Sequence, residues 1–451
     1  MAYKCTNCGF TSVEWLGRCP QCGEWDTFAG ELPPDADRDP EELEGVPDEK
    51  PKPLSDISFD HQERLSTRIG ELDRVLGGGL IPGSVVLLGG EPGIGKSTLL
   101  LQVAEKLAAG GEVLYITGEE SPRQVKMRAR RLGLSSDNLM VYSGTSLEKS
   151  IEHLIELDPV CVIVDSIQSI RSLGSSTLGS TKQVRELGQR FTRVAKSREI
   201  TTLLIGHVTK SGEFSGPKTI EHLVDVTIYF EGKRDSNLRT LRPAKNRFGS
   251  TRSLGLFQMK EKGLEEILNP SRFFSTNSNH ENQPGNVTVC SMEGTRPILV
   301  EIQALVTKTS YGGSAQRRTT GLDYNRVSLL FAVLSKRINL NLEEFDIYLN
   351  VVGGFRVSET AADLGILTAV LSSFYDVKVP KETVIIGEVG LSGEVRAVKN
   401  LKARISETEK LGYRNLFVPV NNQGLGSREY SLNLEQVSNL SDTFSRLKLE
   451  G

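Results

Sequence analysis

One segment constrains this sequence more than any other: Gly90-Glu91-Pro92-Gly93-Ile94-Gly95-Lys96-Ser97. It fits the pattern G-x-x-x-x-G-K-[ST], follows the apolar run Val85–Leu88, and opens a helical pattern from Thr98 to Ala108. Its glycines let backbone N–H groups turn toward a phosphate, and the positive end of the new helix points there too. We predict that Gly90 to Thr98 bind ATP, that Lys96 reaches the outer phosphates, and that Ser97 binds Mg²⁺.

The chain around this motif alternates between short apolar runs and amphipathic, charge-rich segments. Such alternation predicts a parallel sheet covered by helices, and therefore an α/β domain. The apolar runs are Val85–Leu88, Val113–Ile116, Cys161–Val164, Thr201–Ile205 and Val226–Phe230.

Acidic residues follow two of these strands, at the sheet edge where the phosphate loop is expected. Asp165 ends the Cys161–Val164 run, as the acid of a Walker B strand does, and is the predicted magnesium ligand. Glu119 and Glu120 follow the Val113–Ile116 run, and either is a candidate to polarise the attacking water. The alternative is that these glutamates cap the helix that starts near Pro122.

Four of the six cysteines form the pattern Cys5-x2-Cys8-x10-Cys19-x2-Cys22. Two pairs of thiolates at this spacing match a tetrahedral Zn²⁺ site, whereas four unrelated reduced cysteines are the alternative. Four protein ligands leave no open position for water, so the predicted zinc is structural. The other two, Cys161 and Cys290, stand in apolar runs and are expected to be buried.

A length of 451 residues implies several domains. We assign residues 1–28 to a zinc finger, 29–55 to an acidic, proline-rich linker, 56–275 to the ATPase domain and 285–451 to an α+β domain. The formal net charge of -3 identifies no partner. No stretch reaches the roughly 18 apolar residues of a membrane helix, and no signal peptide pattern is seen, so we expect a cytoplasmic protein without membrane contact.

Two further motifs resemble known families. Arg68–Asp73, followed by Leu76–Leu80 and the phosphate loop, resembles the core of RecA/KaiC-type ATPases, and Lys245-Asn246-Arg247-Phe248-Gly249 is similar to a signature of the bacterial RadA (Sms) family of DNA repair proteins. The resemblance implies a DNA-dependent ATPase that forms a hexameric ring and moves on single-stranded and branched DNA. It also implies branch migration in recombination together with the RecA recombinase.

The resemblance also suggests roles for individual residues. Lys245 and Arg247 would stabilise charge on the nucleotide of the neighbouring subunit, with a solvated surface turn as the alternative. His207 follows the Thr201–Gly206 strand and would sense the γ-phosphate, with an inert histidine as the alternative. The loops Ser172–Thr181 and Lys210–Lys218 would contact the DNA backbone.

Two basic runs leave two interpretations open. Arg123–Arg131 and Lys182–Arg198 would line a positive channel, or they are solvated helix faces.

The C-terminal region resembles the Lon protease domain, through Gly387–Val395. It departs from that family at Thr360–Gly365, where Asp363 stands in the position of the nucleophilic serine, while Lys402 matches the catalytic lysine. A carboxylate cannot act as the acyl-accepting hydroxyl, so we expect no peptidase activity. We expect a scaffold that presents basic residues such as Lys308, Arg317 and Arg318 to DNA. An ATP-dependent Lon-like protease and a KaiC-like regulatory ATPase are the alternative functions.

Overall fold

The computed structural model describes three folded regions. The described residues are 2–12, 17–25, 27–31, 51, 53–56, 64–172, 180–207, 219–232, 236–274, 283–309, 314–422 and 430–449. Most of the predicted linker, the Lys210–Lys218 loop and most of the Ser172–Thr181 loop lie outside them. The first region is a three-stranded sheet of order β2-β1-β3, built from β1 (Ala2–Cys5), β2 (Thr11–Ser12) and β3 (Phe28–Glu31).

The second region alternates strands and helices, as the sequence predicts. A short 3₁₀ helix, Leu54–Asp56, precedes it. Its elements are α1 (Gly70–Leu76), β4 (Val85–Gly90), α2 (Lys96–Leu107), β5 (Val113–Thr117), α3 (Pro122–Leu132), β6 (Leu139–Ser143), α4 (Leu147–Leu157), β7 (Cys161–Asp165), α5 (Thr181–Arg198), β8 (Thr201–His207), α6 (Thr219–Leu223), β9 (Val226–Glu231), β10 (Leu238–Asn246), β11 (Gly255–Lys260), β12 (Gly263–Glu266) and α7 (Pro270–Phe274).

These strands form one nine-stranded sheet of order β12-β11-β10-β9-β4-β8-β7-β5-β6. The strands from β9 to β6 in this order are parallel, and β10, β11 and β12 run antiparallel beside them. Every residue of β4, β5 and β7 is buried, because helices cover both faces of the parallel part. The carboxyl ends of β4, β5, β7 and β8 therefore meet at one edge, and that edge holds the phosphate loop and the residues predicted around it, Glu119, Glu120, Asp165 and His207.

The third region is a mixed sheet with helices on both faces. Its sheet has seven strands in the order β15-β16-β14-β13-β17-β20-β21, and a separate hairpin pairs β18 with β19. The elements are β13 (Asn286–Glu293), β14 (Arg296–Lys308), β15 (Arg317–Thr320), α8 (Tyr324–Ile338), β16 (Phe345–Val351), α9 (Asp363–Tyr375), β17 (Thr383–Ile385), β18 (Glu388–Val389), β19 (Val395–Arg396), α10 (Leu401–Lys410), β20 (Asn415–Pro419), β21 (Asn433–Val437) and α11 (Leu440–Leu447).

The second and third regions share a hydrophobic core and a buried ion pair. Leu254, Leu256 and Phe274 come from the ATPase region but pack in the main core of the C-terminal region. Arg296 on β14 donates to both carboxylate oxygens of Glu71 on α1, at 3.0 and 2.9 Å. Glu71 is 1% exposed, so this pair joins the two regions inside the protein.

The observed elements extend the predicted ones by a few residues. The strand predicted at Val85–Leu88 continues to Gly90, and the helix predicted from Thr98 begins at Lys96, because the phosphate loop tightens directly into the first helical turn. Among the described residues, no helix combines the length and apolar character needed to cross a membrane.

Candidate functional site: an ATPase edge and a zinc module

The phosphate loop joins β4 to α2 in the conformation that its glycines permit. Gly95, the residue before the first helical turn, has a φ of 116°, which disfavours any residue with a side chain. A side chain at Gly90 would meet the Phe230 carbonyl oxygen, since a Cβ there would lie 2.5 Å from that atom. Both glycines are therefore required for the loop to curve tightly against β9.

Lys96 lies at the start of α2 with its side chain buried. Its Nζ donates to the carbonyl oxygens of Gly90 and Glu91, at 2.7 and 2.9 Å. Burial lowers the pKa of Lys96 to about 8, although Asp165, Glu119 and Glu91 favour its charged form. The ammonium group is therefore held over the loop, beside the position in which the motif binds phosphates.

The strand register brings the predicted acids and His207 to the loop. Gly90 pairs with His207 on β8, and Thr117 at the end of β5 pairs with Asp165 at the end of β7. Asp165 is 7% exposed and accepts a 2.5 Å hydrogen bond from the Tyr115 hydroxyl. These contacts fix the Asp165 carboxylate at the edge where α2 begins, and Ser97 is the second residue of that helix, so the two residues fit the oxygen ligands of a magnesium site.

The two neighbouring glutamates have different surroundings. Glu119 accepts a 2.6 Å hydrogen bond from the Ser166 hydroxyl, and its Oε1 lies 3.5 Å from Nε2 of His207. The His207 imidazole and then the Ser166 hydroxyl lower the pKa of Glu119 to about 2. The Glu119 carboxylate is therefore ionised at neutral pH, and such a weak base orients a water molecule better than it removes its proton.

Glu120 instead forms an ion pair with an arginine of the same chain. Its partner is Arg128 on α3, and Nη1 of Arg128 also lies 3.8 Å from Oδ2 of Asp165. The alternative that the glutamates cap α3 is wrong, because Ser121 is the N-cap and forms a capping box with Gln124. The two glutamates, which the sequence leaves equivalent, therefore have different partners.

Several buried polar atoms at this edge have no hydrogen-bond partner among the described residues. They are Oε2 of Glu120, Nη1 of Arg128, Oε1 of Gln168 and Nδ1 of His207. Unpaired buried polar groups are costly, so their concentration beside a phosphate loop is typical of a site organised for a polar ligand.

The sequence gives some signal for Arg128 and none for Ser166. Arg128 shares a face of α3 with the buried Val125 and Ala129, at the i+3 spacing from Val125 that identifies an inward position. Ser166 has no such signal, since it follows the strand as an ordinary polar residue.

Lys245 and Arg247 do not reach this edge in the chain described here. Nζ of Lys245 donates to the carbonyl oxygens of Glu221 and Val224, at 2.8 and 2.7 Å, and Arg247 pairs with Asp225 at 3.0 Å. Because β10 is antiparallel to β9, both residues lie beside the amino ends of the parallel strands, at the sheet edge opposite the phosphate loop. The two edges are about 16 Å apart, which is the length of an extended strand such as β4. They cannot contact the nucleotide of their own chain.

The basic runs are mostly exposed, but several of their members are paired. On α3, Arg123, Lys126, Arg130 and Arg131 are exposed, while Arg128 turns inward. On α5, Arg190 lies 3.5 Å from Glu148, and Lys196 lies 3.8 Å from Asp225. These contacts fit solvated faces with local ion pairs, and they do not mark a continuous basic stripe.

The four cysteines near the N-terminus come together as two equivalent knuckles. All four sulfur atoms lie within 4.8 Å of one another, with Cys5 and Cys22 at 3.7 Å and Cys8 and Cys19 at 3.6 Å. The backbone N–H of Gly9 donates to the Cys5 carbonyl, and that of Gly23 donates to the Cys19 carbonyl, both at 2.9 Å. Sulfur atoms on a tetrahedron about 2.3 Å from Zn²⁺ are separated by about 3.8 Å, so the thiols fit zinc.

The Lon-like position in the C-terminal region holds an ion pair. Asp363 begins α9, is 1% exposed, and pairs with Arg326 on α8, whose Nε lies 3.1 Å from Oδ1. Oδ2 also accepts a 3.1 Å hydrogen bond from the Val389 N–H. Lys402 is exposed on α10 and Ser358 is exposed ahead of α9, so neither lies buried with Asp363. Of the three basic residues predicted to contact DNA, Arg317 has its guanidinium over the Phe331 ring, 5.2 Å from the ring centroid.

Comparison with protein families identifies all three regions. A model described as a rubredoxin metal binding domain matches residues 3–29, and a model described as an AAA domain matches residues 49–213. A model described as subunit ChlI of Mg-chelatase matches residues 330–422. The predicted fold class, an ATPase core between a four-cysteine module and a Lon-like α+β region, is thereby confirmed.

Curated relatives match almost the whole length of the chain. The DNA repair protein RadA of Halalkalibacterium halodurans is 45% identical over 444 residues, which are 98% of this chain and 97% of the relative. The protein of the same name from Listeria monocytogenes is 46% identical over 94% of this chain and 92% of its own. That of Bacillus subtilis is 45% identical over 98% and 97%.

Proposed function

The chain belongs to the RadA family of DNA repair proteins, and from this premise we propose that it is a DNA-dependent ATPase that acts as a ring-forming motor in recombinational repair. In this proposal it works on single-stranded and branched DNA and promotes branch migration together with the RecA recombinase. Its subunits form a hexameric ring, with ATP and Mg²⁺ at the interfaces and Zn²⁺ in the N-terminal module.

One observation carries the ATPase part of the proposal. The phosphate loop, Asp165, Glu119 and His207 lie together at one edge of the parallel sheet, with contacts of 2.6 to 3.5 Å around Glu119. In the reaction, the loop amides and Lys96 hold the phosphates, and Ser97 and Asp165 hold Mg²⁺, which neutralises the charge on the phosphates. Glu119 orients the attacking water, and His207 reports the γ-phosphate through its contact with Glu119.

Lys245 and Arg247 lie at the sheet edge opposite the phosphate loop, and this position supports their contact with the nucleotide of a neighbouring subunit. Both residues lie too far from the nucleotide edge of their own chain, so any contact with a nucleotide must be made to a neighbour. A cation supplied by another subunit couples hydrolysis to assembly, because the site is complete only within the ring.

The test is steady-state ATP hydrolysis by the purified protein with and without single-stranded DNA. We expect single-stranded DNA to raise the rate several-fold, with little dependence on its sequence and a strong loss at high salt, because backbone contacts dominate such binding. Lys96→Ala is the control for contaminating ATPases. A rate that DNA leaves unchanged would argue for a KaiC-like regulatory ATPase.

The Lon-like protease is the second alternative, and the ion pair of Asp363 argues against it. The buried carboxylate of Asp363 is paired with Arg326 and offers no hydroxyl for acyl transfer. Lys402 is exposed on α10 and is not buried beside Asp363. ATP-dependent cleavage of an unfolded protein, lost in both Ser358→Ala and Lys402→Ala, would establish the protease function instead.

A further inference from the structure

One residue of the basic run Arg123–Arg131 belongs to the ATPase edge. Arg128 has a side-chain exposure of 17%, whereas Arg123, Lys126 and Arg130 on the same helix are exposed. Its position follows from helix geometry, because it lies on the face of α3 that packs on the sheet beside Val125 and Ala129. A cation at such a position requires an acidic partner, and it has two.

Arg128 joins two carboxylates that come from different strands. It pairs with Glu120, which follows β5, and Nη1 of Arg128 lies 3.8 Å from Oδ2 of Asp165 at the end of β7. The Tyr115 hydroxyl donates to the same Oδ2 at 2.5 Å. Oδ2 of Asp165 is therefore held from within the protein by a hydroxyl and a nearby guanidinium.

We propose that Arg128 is a positioning residue of the ATPase site, which draws Glu120 away from the reaction and orients Asp165 for Mg²⁺. The inference rests on the proposed ATPase function. Two carboxylates held near each other repel, and without the cation between them their side chains would move apart. Arg128 attracts both carboxylates, and by pairing with Glu120 it leaves Glu119 as the carboxylate that can orient water.

The test compares Arg128→Gln and Arg128→Lys with Arg130→Gln, an exposed control on the same helix. We measure basal ATP hydrolysis without DNA as a function of Mg²⁺ concentration, and binding of a fluorescent ATP analogue without Mg²⁺. For Arg128→Gln we expect a fall in kcat of about tenfold or more and a higher Mg²⁺ requirement, since misplacing a catalytic group costs this much or more. Metal-free nucleotide binding should change less than about twofold, because the ion pairs of Arg128 are to Glu120 and Asp165, not to the phosphate loop.

Partial recovery in the conservative and double variants separates positioning from general damage. Arg128→Lys keeps the charge and should retain more activity than Arg128→Gln, and Glu120→Gln should restore part of the activity of Arg128→Gln by removing the unpaired carboxylate. Wild-type kcat and Mg²⁺ dependence in Arg128→Gln would overturn the proposal, and so would a loss that only follows a lower melting temperature. Because basal hydrolysis is measured, a failure of DNA stimulation would leave this result interpretable.

Discussion

At the scale of single residues, the candidate ATPase site contains charged side chains that are buried. Lys96 is 4% exposed, and Asp165 is 7% exposed. Burial works against the ammonium form of Lys96 and lowers its pKa to about 8, while nearby carboxylates act in the opposite direction. A phosphate-binding cation with a pKa this near neutrality makes nucleotide affinity sensitive to pH in the ordinary laboratory range.

We therefore expect nucleotide affinity to fall as the pH rises through about 8. In the proposed function the ammonium form of Lys96 binds the phosphates, and this form is lost above its pKa, so affinity at pH 9 should be lower than at pH 7 by up to about tenfold. Titration with a fluorescent ATP analogue at constant ionic strength measures this change. The Lys96→Ala variant should bind weakly with a flat pH dependence, and an equally steep profile in that variant would assign the titration to another group.

A second prediction concerns the adjacent glutamates. Glu119→Gln should reduce hydrolysis by about 100-fold, because a misplaced reacting group can cost a factor of this size. Glu120→Gln should cost less than about tenfold, because Glu120 is already paired with Arg128. Phosphate release measures the rates, and nucleotide binding by both variants is the control. A larger loss in Glu120→Gln would reverse the assignment.

At the scale of elements, strand ends and tight turns place the candidate functional side chains next to one another. Parallel strands end at a common edge, which places the residues after β4, β5, β7 and β8 side by side. The two cysteine knuckles work in the same way, because each places a pair of sulfur atoms through one tight turn. The Lys245–Gly249 loop is at the other sheet edge, where Asn246 donates to the Val75 carbonyl of α1 at 3.2 Å.

The knuckles predict one tightly held zinc per chain. A double replacement of Cys5 and Cys8 by serine should remove the metal, because Zn²⁺ then keeps only two thiolates. Elemental analysis of protein purified without chelators measures the content. Cys161→Ala is the matched control, since Cys161 is buried in β7 and should leave zinc unchanged. Wild-type protein without zinc would contradict the site.

The position of the Lys245–Gly249 loop predicts complementation between defective subunits. Lys245→Ala and Lys96→Ala are each expected to lack DNA-stimulated hydrolysis, but their mixture should regain part of it, because some interfaces then combine an intact phosphate loop with an intact Lys245. Mixing Lys245→Ala with Arg247→Ala is the control, since every interface then lacks one of the two cations. Failure of the first mixture to recover, in rings shown to exchange subunits, would contradict action between subunits.

At the scale of the whole molecule, the ATPase and C-terminal regions are joined through buried polar contacts. Glu71 accepts two hydrogen bonds from Arg296 and one from the Leu256 N–H, at 3.0 Å. Ser271 donates to Glu407 across the same boundary at 2.7 Å, and Arg242 pairs with Glu293 at 3.0 Å. These contacts couple α1, and with it the Lys245–Gly249 loop, to the position of the C-terminal region.

Breaking the central pair should destabilise the protein. Arg296→Ala leaves the buried Glu71 with only the half-exposed Arg74 as a cation, and removing one partner of a buried pair costs about 3 to 5 kcal/mol. Arg74→Ala is a matched control, because the half-exposed Arg74 lies 3.5 Å from the same carboxylate and should contribute less than about 1 kcal/mol. Urea denaturation measures both. Equal stability of the two variants would show that the pair does not hold the regions together.

The sequence by itself determined the phosphate loop, the cysteine cluster, the order of strands and helices, and the acids at the strand ends. Each of these features depends on residues that are close together in the chain, because a short stretch of sequence is enough to specify a turn, the end of a strand or the spacing of metal ligands. Only the tertiary structure placed Glu119 beside His207 and Glu120 beside Arg128, paired Asp363 with Arg326, and linked Arg296 to Glu71. Those contacts join residues as far apart as 225 positions, and they depend on how helices pack on the sheet, which local patterns do not encode.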